Sequence, residues 1–308
     1  MSRWSVAAFY RFARLKDPAA LRGPILEFCQ AHAVCGSILL AAEGINGTIA
    51  APPQHLPVVM AEIARLTGLS DIDIKYSSAE EAPFLRLKVK LKAEIVTLGV
   101  PADPLQQVGT YVEPQDWNDL ISDPEVLVID TRNHFEVEIG SFARAVDPMT
   151  QSFSQFPEYV RQNLDPAKHR KVAMFCTGGI RCEKATAYML EQGFPEVYHL
   201  KGGILNYLEK VPEADSLWHG GCYVFDQRVA LGHGLAISGQ EVCHGCRLPL
   251  AAEARHHPDF EEGVCCPSCA SALTAAQKAS ARERWRQVQL AAARGDRHLG
   301  PQPQRTGD

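Results

Sequence analysis

Several things are scarce in this chain of 308 residues, and each shortage excludes a class of function. No apolar run reaches the roughly 20 residues that a membrane-spanning helix needs, and the N-terminus shows no sustained apolar core of signal-peptide length. A cytoplasmic protein without a membrane partner is therefore expected. Positive charge is not in excess: 31 Lys and Arg face 36 Asp and Glu, for a net charge of −5. Nothing global draws such a chain to nucleic acid, so any such partner must be met by a local basic patch. The ten cysteines are too few for a disulfide scaffold at this length, and several have catalytic or metal-ligand spacing. That usage fits a reducing compartment. No flavin or haem motif is present, and no 2-His-1-carboxylate signature. Oligomeric state is not readable from any of this.

What is present is organised around one stretch. Lys171-Val172-Ala173-Met174-Phe175 reads as a buried strand, and Cys182 to Gln192 reads as a helix stopped by Gly193. Between them lies Cys176-Thr177-Gly178-Gly179-Ile180-Arg181. Glycines allow a positive-φ turn that gathers backbone N–H groups into one concavity. The helix N-terminus adds partial positive charge there, and Arg181 can aim its guanidinium inward. All three favour a thiolate, the nucleophilic form of cysteine. A lone cysteine after a strand is ordinarily an inert core residue, but this loop marks Cys176 and Arg181 as catalytic, with Arg181 and the N–H groups of Thr177, Gly178, Gly179 and Ile180 as oxyanion donors. Cys182 is either a second, resolving thiol or a structural residue of the helix.

Around this centre the chain divides into an N-terminal α+β domain (residues 1–100), a parallel α/β domain (101–217) and a Cys-rich extension (218–308). In the first, a strand at Ser5–Phe12 precedes a helix capped by Asp17-Pro18. Two further strands flank Glu43–Gly47, with Asn46-Gly47 as the hairpin signal. A second helix spans Leu56 to Leu66, and the strand Phe84–Lys92 completes a β-α-β-β-α-β, ferredoxin-like order. That last strand alternates Leu85, Leu87, Val89 and Leu91 with Arg86, Lys88, Lys90 and Lys92. Its cations form either a solvated sheet face or a track for a phosphate backbone.

Strands and helices alternate from Val126 to Leu208, as a parallel sheet requires. Beyond it, Tyr223 to Ala230 reads as one strand, with Trp218 and His219 as candidates to line a pocket. Cys243-His244-Gly245-Cys246 and Cys266-Pro267-Ser268-Cys269 are two Cys-x-x-Cys knuckles 19 residues apart, a spacing suited to a structural zinc ion. Cys265, His256 and His257 compete as ligands. A basic helix follows Thr274, and the composition from Gly295 onward is that of a disordered tail.

The Cys-x-x-x-x-Arg loop resembles that of rhodanese domains, in which the cysteine carries a persulfide. Val126–Arg132 resembles that family's strand ending in Asp-x-Arg, Glu138–Ala145 its following turn (with Ser141 and Phe142 after Gly140 in place of the usual His), and Leu200-Lys201-Gly202-Gly203 its closing glycines. Related phosphatases have a loop one residue longer. Over nearly the whole chain, four strings in order resemble the bacterial tRNA uridine hydroxylase family: Glu43–Thr48, Leu87–Thr97, Cys176–Ala185 and the terminal knuckles. The resemblance implies an acylphosphatase-like first domain and a rhodanese-like second. It also implies an oxidoreductase that installs 5-hydroxyuridine at the wobble position of the tRNA anticodon loop, with molecular oxygen as co-substrate and Cys176 essential. Two alternatives remain at this point: a rhodanese-type sulfurtransferase working through a Cys176 persulfide, and a non-catalytic RNA-binding or scaffold protein.

Overall fold

The computed structural model describes residues 4–250 and 252–295. Its N-terminal sheet is built from β1 (Trp4–Phe12), α1 (Pro18–Ala31), β2 (Cys35–Ala41), β3 (Gly44–Ala51), α2 (Leu56–Thr67), β4 (Asp73–Ala79) and β5 (Leu87–Leu91), with strand order β4-β1-β3-β2-β5. Asp17 caps α1 by accepting from the Ala20 N–H at 3.0 Å. Strand alternation sends Ala7, Phe9, Ile38, Leu40, Ile45, Ile49 and Val89 into one core beneath α1 and α2. The opposite face of the sheet carries no helix of this unit.

The first four strands are the expected ferredoxin-like set, with two corrections. Its last strand is β4, whose Asp73-Ile74-Lys75-Tyr76-Ser77 is too polar to show an apolar alternation. The basic strand is instead a fifth, edge strand, parallel to β2 and confined to Leu87–Leu91, so Arg86 and Lys92 flank it. The hairpin turn is also displaced. It is Ala42-Glu43, because Gly44 at φ 143° approaches the Arg11 carbonyl so closely that a Cβ would lie 2.0 Å away. Asn46-Gly47 lies inside β3, where a Cβ on Gly47 would meet the Phe9 ring at 2.8 Å. The glycine serves close packing there, rather than a turn.

The second unit comprises β6 (Thr110–Val112), α3 (Pro114–Ser122), β7 (Val126–Asp130), α4 (His134–Val137), β8 (Gly140–Phe142), α5 (Phe156–Asn163), β9 (Lys171–Phe175), α6 (Ile180–Glu191), β10 (Glu196–Leu200) and α7 (Gly203–Lys210). Its sheet is parallel, ordered β6-β10-β9-β7. Trp117, Phe142, Phe175, Tyr207 and Trp218 interlock edge-to-face on one side of it. Trp218 is thus a core residue, in β11 (Trp218–Gly220), which pairs with β8.

The strand expected from Tyr223 to Ala230 is a short hairpin, β12 (Cys222–Tyr223) with β13 (Ala230–Leu231). The Asp226 carboxylate accepts from the Arg228 backbone N–H at 2.9 Å, and Val229 is left-handed at φ 64°, which folds the segment back on itself. Two more helices, α8 (Pro267–Ala270) and α9 (Ala275–Ala293), complete the described chain. Thr274 caps α9 as expected, and the tail from residue 296 lies outside the described residues. No helix of the described chain is long and apolar enough to cross a membrane.

The two sheets are tied through α6. Lys184, 2% exposed, reaches across to Glu43 at 2.8 Å and Glu94 at 2.5 Å. Glu43 in turn accepts from the Ile95 N–H at 2.7 Å, and Asn46 donates to the Ile95 carbonyl at 2.9 Å. Removing one partner of such a buried set strands the others, at a cost of about 3 kcal/mol. Lys184→Met is therefore expected to lower the urea midpoint of the full chain by that equivalent, whereas an exposed control such as Lys168→Met leaves it within experimental scatter.

Candidate active site

Cys176 follows the last residue of β9 and is 1% exposed. Gly179, at φ 100°, caps α6 and turns its own N–H toward the Cys176 sulfur at 3.1 Å. From the other side, the N-terminus of α7 holds the loop: the Ile204 and Leu205 N–H groups donate to the carbonyls of Cys176 and Thr177 at 2.9 and 3.1 Å. A Cβ at Gly203 would stand 2.5 Å from the Cys176 oxygen, so this approach admits only glycine. The loop carbonyls are thereby satisfied outside the concavity, leaving it to N–H groups.

Arg181 is buried beside the loop, but its partner is a residue that the pattern of the loop does not reveal. Its two terminal nitrogens donate to both carboxylate oxygens of Glu136 at 2.7 and 2.8 Å, and one also reaches Thr177 Oγ1 at 3.2 Å. Glu136 is wholly buried in α4, where it accepts from the Asn133 backbone N–H at 3.1 Å. Burial pushes the Glu136 carboxyl up, but Arg181 and then Arg132 outweigh it and hold it below the usual range. Arg181 is thus a fixed charge under the loop, held by a bidentate pair.

The same balance acts on the thiol. Burial raises it, while the Cys182 thiol, the Arg181 guanidinium and the N–H groups of Cys182 and Arg181 lower it further, to about 5. Cys182 is the converse. Burial and then the neighbouring Cys176 hold it well above the ordinary thiol range, outweighing the contact with Thr131 Oγ1 at 3.6 Å that acts the other way. The structure therefore brings the two thiols together as an anion and its donor.

Cys176, Thr177, Gly178, Ile180 and Arg181 open onto a cavity of about 430 Å³ whose roof is the helix-free face of the N-terminal sheet. Tyr10, Asn46, Thr48 and Lys75 line it from that side. Tyr10 donates to Glu183 at 3.1 Å, and Tyr111 donates to the same carboxylate at 2.8 and 2.9 Å. Burial pushes Glu183 up, against the hydrogen bonds of Tyr111 and Tyr10. Tyr10 and Glu183 were not singled out by sequence. Their one signal is alternation in β1, which puts Tyr10 opposite the core-facing Phe9.

Of the four cations, Lys88 and Lys90 are on this roof face. Register places Lys75, Ala8, Thr48, Ser37 and Lys88 in one row across the sheet, and Tyr10, Asn46, Leu39 and Lys90 in the next. Both lysines thus lie on the continuation of the cavity roof, two strands from Thr48 and Asn46, about 10 Å away. Arg86 and Lys92 flank β5 and line no part of the cavity. Trp218 and His219 do not line it either.

Far from the loop in sequence, Cys243, Cys246, Cys266 and Cys269 bring their sulfurs within 4.8 Å of one another. The separations of 3.9, 3.8 and 3.8 Å for Cys243–Cys269, Cys246–Cys266 and Cys266–Cys269 exceed any disulfide. They match the edge of about 3.8 Å of a tetrahedron with metal–sulfur bonds near 2.3 Å. The four can hold a metal ion. Cys265 points elsewhere, toward the Asp259 carbonyl at 3.5 Å, and His256 and His257 are exposed and outside the cluster.

Residues 4–95 match the UPF0176 acylphosphatase like domain family, and residues 113–210 match the Rhodanese-like domain family. A protein of Teredinibacter turnerae named tRNA uridine(34) hydroxylase is 54% identical over 301 residues, 97% of this chain and 94% of the relative. One of the same name from Agrobacterium fabrum is 54% identical over 296 residues, covering 96% and 94%. Among solved structures, a rhodanese-related protein of Thermoplasma volcanium is 24% identical over 33% of this chain and 93% of its own, with a TM-score of 0.27.

With its thiol lowered to about 5, Cys176 is ionised at neutral pH. The rate of its alkylation by iodoacetamide is therefore expected to be flat from pH 8 to 6 and to fall as pH drops through that value, followed by peptide mass spectrometry. In Arg181→Met the loss of the adjacent cation moves the inflection up by about 1 to 3 units.

Proposed function

We propose that this chain, which belongs to the tRNA uridine(34) hydroxylase family, oxidises uridine 34 of tRNA at ring carbon C5, using Cys176 as nucleophile. The observation that carries the reading is a glycine-rich cysteine loop, with the Gly179 N–H on the Cys176 sulfur, opening onto a cavity of about 430 Å³ roofed by a sheet face that continues into Lys88 and Lys90. Lys88 and Lys90, with Arg86 and Lys92 at the ends of β5, meet the phosphates of the anticodon strand. The target base leaves the stack to reach the thiol, which an anticodon loop permits at small cost.

In this reading the Cys176 thiolate adds to C6 of the uracil. The C5–C6 electron pair moves toward C5 and the C4 carbonyl, making C5 electron-rich. Developing charge on the carbonyl oxygen is met by the N–H groups of the loop from Thr177 to Ile180. Arg181, whose terminal nitrogens are committed to Glu136, supports the thiolate as a positioning charge and does not act as an oxyanion donor. Molecular oxygen supplies the oxygen atom at C5, and an external pair of thiols, oxidised to the disulfide, supplies the two electrons and two protons that make water of the second atom. Loss of the C5 proton and of Cys176 restores the ring double bond. Cys182, kept protonated, donates to the sulfur that leaves.

Zinc is the ion we assign to the Cys243, Cys246, Cys266 and Cys269 cluster, in a structural role, since all four positions are taken by protein. The purified chain is expected to carry one zinc per molecule, and a chelator strong enough to remove it is expected to melt the segment around α8 while leaving the two sheets folded, as hydrogen exchange would show.

The decisive experiment is nucleoside mass spectrometry on tRNA from cells lacking the protein, rescued with wild type or Cys176→Ala. Recovery of 5-hydroxyuridine derivatives with the wild type alone is the expected result. Because gain of oxygen and exchange of oxygen for sulfur share a nominal mass shift, accurate mass separates them. A thiolated base in its place would establish sulfur transfer, and no change in either would remove tRNA as the substrate.

A further inference from the structure

Phe225 is the most exposed large apolar side chain among the described residues, at 63%. It lines the rim of the cavity that holds Cys176. Its ring is not loose. Tyr223 supports it edge-on at 5.0 Å, and Phe135 at 6.4 Å, while Phe135 and Tyr223 themselves meet at 5.3 Å. Phe135 is the neighbour of Glu136, the carboxylate that fixes Arg181.

The turn that carries Phe225 is held with unusual investment. Arg228 is 7% exposed and donates to Asp226 at 2.9 and 2.6 Å. It also reaches Ser77 Oγ of β4 at 2.7 Å, and the Gln227 N–H donates to the Pro83 carbonyl at 3.0 Å. A buried ion pair, a bond to β4 and a bond to the segment between β4 and β5 thus fix a turn whose most prominent side chain is left in water. Burial of a phenylalanine ring stabilises a fold, and this position, 63% exposed, forgoes most of that. Stability does not explain such a placement; presentation of a ring does.

The cavity, at about 430 Å³, is near the small end of ligand sites. A base that enters it leaves the base beside it with a bare face at the rim. That is where Phe225 stands, with Lys75 and Arg228 in the same lining, each paired to its own carboxylate.

We propose that Phe225 is a stacking platform for a nucleobase adjacent to the target uridine, replacing the face that the target vacates when it drops toward Cys176. The proposal rests on the assignment of a tRNA substrate above. Stacking of one base on an aromatic side chain is worth about 1–3 kcal/mol, or about 5- to 150-fold in affinity. Because the contact is made equally in the bound and the reacting complex, it acts on KM.

The test is steady-state kinetics of the full-length, metal-loaded protein on an anticodon stem-loop RNA, with two matched RNAs abasic at the nucleotide before or after the uridine. Phe225→Ala is expected to raise KM by about 5- to 150-fold with a far smaller change in kcat, and Phe225→Trp to restore it. One abasic RNA is expected to cost the wild type that same factor and to cost Phe225→Ala nothing more. An unchanged KM in Phe225→Ala overturns the proposal, as does a penalty that adds fully to that of both abasic RNAs. The same RNAs in a binding titration separate the two assignments. If the wild type binds them without turning them over, and Phe225→Ala and one abasic site remain non-additive, the platform stands while the reaction falls. If the wild type does not bind them, both fall.

Discussion

The structure depends on a single cation kept out of water. Lys184 sits on the helix that begins at the cysteine loop, and its ammonium is shared by Glu43 and Glu94 of the other sheet. Each carboxylate is also bonded to backbone N–H groups, Glu43 to Ile95 and Glu94 to Leu98 and Gly99. The charge therefore fixes three chain segments at once: the β2–β3 turn, the stretch after β5, and α6. Without this arrangement the thiol would lie in an open loop at the end of a parallel sheet. With it, the thiol faces a roof of Tyr10, Asn46, Thr48 and Lys75.

A second set of charges works at shorter range. Arg181 and Glu136 form a closed pair beneath the loop, and their net charge near the sulfur is small. The thiolate is favoured, against burial, by the Cys182 thiol, by the Arg181 guanidinium and by backbone N–H groups of the loop. Such an arrangement holds an anion in a dry place without leaving any charge unpaired, as a buried site requires.

Much of this was legible in the residues. The strand–loop–helix around Cys176, the Asp17 and Thr274 caps, the second helix and the cysteine knuckles follow local rules that packing did not overrule. Three of the strings that carried the family resemblance, Glu43–Thr48, Leu87–Thr97 and Cys176–Ala185, turn out to meet in space around Lys184 and the cavity. What was not legible depends on tertiary partners. Polar β4 is a strand because β1 pairs with it; Asn46-Gly47 is extended because Phe9 occupies the space where a side chain would go. Glu136 resembles any capping-box glutamate until Arg181 is folded against it, and Asp226 and Arg228 resemble strand residues until they are seen to close a turn.

The helix-free sheet face has a meaning beyond recognition. A thiol ionised at neutral pH is the first target of peroxide and of other products of incomplete oxygen reduction, and its over-oxidised forms are not restored by ordinary thiols. Cys176 is only 1% exposed and lines the cavity beneath that face, so an oxidant meets it by way of the cavity. In the function proposed above, the base would fill that space and shield the sulfur, so that the lifetime of the thiol would be set by how long the cavity stands empty between turnovers.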